Sequence, residues 1–347
     1  MPRDFAFIQT GPDRLFVGWG PFEQLPFRRP QRPAFFITDF FLDEAKPWWH
    51  PAESEEISVD ELVRKFGEQG HHHPDIDWQP LSSRRFEELF ESAQAGIACG
   101  DFKKIVPVVF EEGEIVRGNA PWRELIERLA SLPRGLWAYG CSIGSRGFIG
   151  ATPEVLFQSR GRGYSTMALA GTRPLARAGE LLNDSKEMRE HRIVVDDIVR
   201  RLAPFGNVEI GALGIMRLPA IAHLITPIFF MEISEERMSF ADMVRRLHPT
   251  AALGVSPRTE AGERWLREHD RDAQRRTFGA PFGFEREERF AVALVSIRNI
   301  EWDERRVRIG SGAGIIAESL ADSELEELRQ KREQVKALFG LRVEAWT

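Results

Sequence analysis

Residues 135–173, GLWAYGCSIGSRGFIGATPEVLFQSRGRGYSTMALAGTR, decide the fold class. Four short runs within them, GLWAYGCSI, RGFIGAT, EVLFQSR and YSTMALAGT, are rich in β-branched and aromatic residues and are parted by Gly, Ser and Pro. That pattern predicts consecutive strands. Downstream the period changes, and helices are expected at 184–203 and 237–247, with Ile193, Val194 and Ile198 pointing to the core of the first. The last third returns to strands in RFAVALVSIRNIEW and RRVRIGSGAG and closes on the helix SELEELRQKREQVKALF. Upstream, SSRRFEELFESAQAGIACG puts Phe86, Leu89, Phe90 and Ala93 on one helical face and ends at Gly100. KKIVPVVF follows as a strand, and PWRELIERLASL as a helix with Pro121 near its start. Residues 1–80 read as short strands, as in RLFVGWG and PAFFITDF. Strand runs and helices are segregated rather than alternating, so the expected class is α+β, not a doubly wound sheet.

Composition narrows the function. The chain has 347 residues, 42% hydrophobic and 29% charged, with a formal net charge of −6. Acids and bases are mixed along it, which argues against a nucleic-acid partner. Two cysteines, Cys99 and Cys141, make neither a disulfide framework nor a zinc cluster and suit a reducing compartment. The N-terminus, MPRDFAFIQTGPDRL, has no apolar run after a basic start, and the uncharged stretch 218–231 is too short to span a bilayer. A cytoplasmic protein without membrane contact is expected. His71, His72 and His73 lack an accompanying ligand pattern and read as a polar loop rather than a metal site.

Two acidic helix faces stand out. In DSKEMREHRIVVDDIVRRL, Asp184 and Glu187 suggest a capping box, and Glu187 and Glu190 lie three apart on one face. In the last helix Ser323 with Glu326 suggests a second box, and Glu324, Glu327 and Lys331 share a face. If solvated, these are ordinary surface charges. If the two faces meet, carboxylates from two elements suit a hard cation such as Mg2+. GSGAGI at 310–315 lacks the spacing of a dinucleotide loop but exposes backbone N–H groups that can meet a carboxylate. Arg298, read on the preceding strand, can add a bidentate clamp. Lys104, Glu154 and His223 are isolated candidates.

Taken in order, FKKIVP, IGATPEVLF, MALAGTRP, SKEMREHRIVVDDI, AHLITP, LHPTAALG, SIRN, GSGAGI and SELEELRQK resemble the chorismate-utilising enzymes, isochorismate synthases most of all. Lys104 and Glu154 stand 154 − 104 = 50 residues apart, as in isochorismate synthases. The resemblance implies an anthranilate synthase-like α+β fold, with intertwined sheets around a central cleft and outer helices. It implies one domain over 1–347, with a divergent portion at 1–80 and the recognisable core at 82–347. It also implies roles. Glu190 and Glu327 match the principal Mg2+ ligands, with Glu187 and Glu324 beside the ion. Arg298 and Gly312 match the clamp on the pyruvyl carboxylate, and Gly171 and Thr172 the turn facing the ring carboxylate. Lys331, His223 and Ala252 match substrate-pocket positions, Lys104 the general base and Glu154 the general acid. A lysine at 104 and Ala170 in place of a nucleophilic lysine favour water over ammonia as nucleophile, hence no amidotransferase partner. A monomer or weak homodimer is expected. The expected reaction is chorismate to isochorismate. Salicylate synthase, an anthranilate- or aminodeoxychorismate-type subunit and a non-catalytic chorismate binder stay open, as does a menaquinone or siderophore pathway. The chain departs from the family pattern at Pro107 inside its strand, at HPTAALGV and at RTFGAPFGF.

Overall fold

A computed structural model describes residues 3–66, 75–79, 81–116, 122–161, 163–233, 238–286 and 290–341. His71–His73 and Pro121, with the readings attached to them, lie outside the described residues. The chain runs β1 (Phe5–Gly11), β2 (Arg14–Leu25), β3 (Ala34–Ile37), β4 (Trp48–Ile57), α1 (Val59–Phe66), β5 (Ile76–Trp78), α2 (Ser83–Cys99), β6 (Lys104–Ile105), β7 (Val108–Ile115) and α3 (Trp122–Leu129). The four strands read in 135–173 follow as β8 (Trp137–Ile143), β9 (Arg146–Thr152), β10 (Val155–Arg160) and β11 (Gly163–Pro174). Then come α4 (Ser185–Leu202), β12 (Gly206–Ile210), β13 (Gly214–Arg217), β14 (Ile221–Glu232), α5 (Phe240–Leu247), β15 (Val255–Ser256) and α6 (Glu260–Ala273). The chain closes with β16 (Pro281–Arg286), β17 (Phe290–Val295), β18 (Asn299–Asp303), β19 (Arg306–Gly312) and α7 (Ala321–Leu338).

Strands from distant parts of the chain interleave. β1 pairs with β8, β3 with β16, β10 with β17, β9 with β18 and β7 with β19, all antiparallel. The result is a mixed α+β fold with intertwined sheets and helices outside them. An aromatic core fills one sandwich: Phe16 stacks on Phe284 at 3.9 Å between ring centroids, and Phe35, Tyr139 and Phe282 pack around them. Each such ring contributes about 1.5–3 kcal/mol by leaving water.

Several local expectations change. KKIVPVVF is not one strand: Pro107, which has no N–H to give a ladder, separates β6 from β7, and the two lie in different sheets. α7 starts at Ala321, two residues before Ser323; its N-cap is Leu320 without a side-chain cap, and Glu326 pairs instead with Arg329. The box at α4 is half made. Asp184 accepts from the N–H groups of Lys186 and Glu187, but the Glu187 carboxylate accepts from Thr172 N–H at 2.8 Å. Arg298 is on no strand; it sits between β17 and β18 with φ +55°, a left-handed backbone. The apolar stretch 218–231 is mostly β14, and among the described residues no helix is long and apolar enough to cross a membrane.

Candidate active site

α4 and α7 carry the acidic faces, and both are turned inward: Glu187, Glu190 and Glu324 are buried. α4 is fixed on the sheet by His191. Its Nδ1 donates to Ala170 O at 3.2 Å, which leaves Nε2 to accept from Thr226 Oγ1 at 2.7 Å. Burial holds this imidazole down at about 4, so it is neutral. Glu190, the preceding residue, is thereby aimed at the cleft. Its Oε1 lies 3.0 Å from Lys104 Nζ on β6, a fully buried residue. Burial alone would raise the Glu190 carboxyl, but Lys104 and Lys186 outweigh it and bring it to about 2. Gly314 makes the Lys104–Glu190 approach possible. A Cβ there would stand 2.2 Å from Glu190 Oε1 and 2.6 Å from Lys104 Cε.

The opposite wall is a chain of polar contacts. Arg298, itself buried, donates from Nη2 to His223 Nε2 at 3.4 Å. A guanidinium only donates, so the ring proton belongs on Nδ1, shared with Thr172 Oγ1 at 3.0 Å. Burial and the Arg298 charge hold His223 well below its usual range. Gly171 has φ +79°, and a Cβ there would meet Glu187 O at 3.1 Å. Only a glycine accepts that turn without strain, and the turn presents Thr172 N–H to Glu187. On α7, Lys331 Nζ donates to Gly312 O at 2.7 Å and pairs with Glu327 at 2.6 Å. That pair is partly buried rather than an exposed surface bridge. Glu154 follows β9 and is buried, with Thr250 Oγ1 donating to its Oε1 at 3.5 Å. Burial, opposed by Lys104, lifts its carboxyl to about 7.

Ten of the residues singled out in the sequence line one cavity: Glu154, Gly171, Thr172, Glu190, His223, Ala252, Arg298, Gly312, Glu327 and Lys331. Lys104, Glu187 and Glu324 adjoin it through Glu190, Thr172 and Lys186. The cavity holds about 60 Å³. Small-molecule sites usually hold about 300–1,000 Å³, so this cavity is narrow for one. A larger cavity of about 500 Å³, bordered by Trp49, Arg146, Trp302 and Arg308, contains none of these residues. Of its arginines, Arg146 and Arg276 pair with Asp303 and Arg308 pairs with Glu301.

Among the described residues, no group of three or more His, Cys, Asp or Glu converges so as to hold a metal ion as it stands. The reason is visible. Lys186 Nζ lies among the carboxylates, 2.9 Å from Glu324, 3.3 Å from Glu190 and 3.4 Å from Glu187. The donor set itself, carboxylates from two helices with a cation already at their centre, fits a hard cation. Lys186, Arg173 and Gly314 were not singled out in the sequence. Lys186 had a signal there, since it lies four residues before Glu190 on the same helix face. The contact with Glu324 had none.

The family model for chorismate binding enzymes matches residues 36–340. The chain belongs to the chorismate-binding enzyme family. A "Salicylate biosynthesis isochorismate synthase" of Pseudomonas aeruginosa is 31% identical over 74% of the chain and 56% of its own length. An "Anthranilate synthase component 1" of Thermococcus kodakarensis is 28% identical over 74% of the chain and 61% of its own length. The matches to these family members therefore span less than two thirds of either one. The crystal structure of a putative 2,3-dihydroxybenzoate-specific isochorismate synthase from Bacillus anthracis superposes with a TM-score of 0.83 at 21% identity, covering 98% of this chain and 97% of that one. That likeness establishes the shared fold.

Proposed function

We propose that the chain is a Mg2+-dependent isochorismate synthase. The observation that carries this reading is the buried Glu154 on the cavity that also holds Arg298, with the buried Lys104 adjoining it through Glu190. Binding alone requires neither an acid nor a base, whereas exchanging a hydroxyl between two ring carbons requires both. Water is a poor nucleophile until a base takes its proton, and Lys104 fills that role once its ammonium, paired with Glu190, has given up a proton. As oxygen adds at ring C2, both ring double bonds shift by one position and the C4–O bond breaks. Glu154 donates its proton to that oxygen, so water leaves; burial keeps the carboxyl protonated into the neutral range. Arg298 orients the substrate by pairing with a carboxylate, and Gly171–Thr172 face the second one. Glu190 and Glu327, with Glu187 and Glu324 beside them, are the residues that would hold Mg2+. The ion, when bound, neutralises a substrate carboxylate within an acidic site.

The test is incubation of the purified chain with chorismate and Mg2+, with products separated by chromatography. Isochorismate without added ammonia or glutamine is the expected product. Salicylate with pyruvate would make the chain a salicylate synthase. An amino product appearing only with ammonia would overturn water as nucleophile, and no consumption of chorismate would leave a binder. The siderophore or menaquinone route is decided by which of these pathways a deletion strain loses.

A further inference from the structure

The carboxylate cluster between α4 and α7 contains a cation of its own. Glu187, Glu190, Glu324 and Glu327 bring four acidic groups into a largely buried space. Four such charges cannot stay together there without compensation. Three neighbours compensate one carboxylate each: Arg173 pairs with Glu187 at 3.0 Å, Lys104 with Glu190 at 3.0 Å and Lys331 with Glu327 at 2.6 Å. Lys186 differs. Its ammonium touches three carboxylates at once, two from α4 and one from α7, and it is the direct ion pair that ties Glu324 to α4. Its stem reaches the cluster from the first turn of α4 and keeps 18% exposure, so the side chain has an outward path.

We propose that Lys186 is a built-in counter-cation of this cluster, and that a divalent ion reaches the four carboxylates only by displacing its ammonium. The inference rests on the reading of these glutamates as the metal ligands. An ammonium and a dication cannot share one set of oxygens at contact distance, because they repel and compete for the same lone pairs. The lysine thereby lowers the apparent affinity for the ion, since the competent arrangement must first be freed. In return it holds α4 against α7 when no ion is bound. Lys186 is in this sense a positioning residue: it acts on the reaction through the ion it yields to.

The experiment uses the full chain and Mn2+ as the probe, followed by loss of the free-ion signal in electron paramagnetic resonance, with thermal melting in excess chelator alongside. Lys186→Met keeps the stem and removes the charge. It is expected to bind Mn2+ about tenfold tighter or more than wild type, and to melt at a lower temperature in chelator. Lys186→Arg keeps the charge and is expected to stay near wild type in both. Equal or weaker Mn2+ binding by Lys186→Met, with wild type binding normally, overturns the proposal and leaves the metal site standing. Binding of Mn2+ by neither protein overturns the metal reading and this proposal with it. If Lys186→Met fails to fold, a crystal structure of the wild type with Mg2+ decides. Lys186 Nζ out of hydrogen-bond reach of Glu324 supports displacement; Nζ still bonded to Glu324 beside the ion refutes it.

Discussion

The aromatic sandwich and the α4–α7 cleft are both buried, and they are held together by opposite means. In the sandwich, Phe16, Phe35, Phe282 and Phe284 contribute apolar area and ring contacts, with no charge to balance. In the cleft, four glutamates are held by Lys104, Lys186, Lys331 and Arg173. The sandwich gains stability from being filled. The cleft keeps several carboxylates away from their ordinary range: burial pushes Glu187 and Glu324 up, while lysines pull Glu190 down. The two regions meet at Tyr139. Its ring lies in the sandwich, and its hydroxyl donates to Ile297 O at 2.8 Å, the residue before Arg298. The apolar region is thus hydrogen-bonded to the backbone beside a charged group of the cleft.

Glu190→Ala should show the largest effect and break the cleft alone. Turnover should vanish, and stability should fall by about 3–5 kcal/mol, because Lys104 is left buried without its partner. Product chromatography and urea unfolding check the two halves; wild-type turnover would end the assignment of Glu190.

Phe284→Ala should break the sandwich alone. The loss of a stacked, buried ring should cost about 3–5 kcal/mol in unfolding. Turnover measured well below the melting temperature should stay close to wild type, and an early loss of kcat would show that the two regions are not separable.

Lys104→Ala should lower kcat by roughly 10² or more while chorismate binding, measured by calorimetry, survives. Glu154→Gln should behave alike, and the double variant should be barely worse than either, since the two groups act in one displacement. Glu154 carries a pH signature as well. Burial raises its pKa, so it is protonated below about 7 and ionised above. The kcat of the wild type should therefore decline as pH rises through about 7, and Glu154→Gln should lose that limb. A wild-type profile flat from 6 to 9, in units of pH, would remove Glu154 as the acid (about 7 being its midpoint).

Tyr139→Phe should give the smallest effect and sharpen the link between the regions. Loss of its hydrogen bond costs about 0.5–1.5 kcal/mol. If the hydroxyl positions Arg298, KM should rise more than kcat falls; a change in stability alone would confine Tyr139 to packing.

Much of this was legible in the sequence. Glu187 and Glu190, or Glu324 and Glu327, share a face because an α-helix returns every 3.6 residues, a local fact. The strands in 135–173 and the helix stop at Gly100, with its φ of +81°, follow equally from local chemistry. The order of the motifs was enough for the family, and with it for the residues that gather at the cavity. Helix α6 was not legible: EAGERWLREHDRDA offers little beyond Trp265 and Leu266 as a stripe to bury. The start of α7 was not legible because Ser323 resembles a cap, whereas the helix begins at Ala321 with no side-chain cap.

Beyond the pairs one helical turn apart, Lys186 with Glu190 and Lys331 with Glu327, the tertiary structure alone decided what the charges of the cleft meet. Periodicity records which side chains share a face, and it carries no information on what the face is packed against. The inward turn of α4 and α7, the left-handed backbone of Arg298 and the proximity of Gly314 to Lys104 all depend on strands paired across long stretches of chain. So does the ammonium of Lys186, whose contact with Glu324 joins residues 138 apart in sequence (324 − 186). Such contacts exist only once the intervening sheets have closed, because Coulomb energy depends on distance in space and on burial, neither of which is fixed before the chain folds.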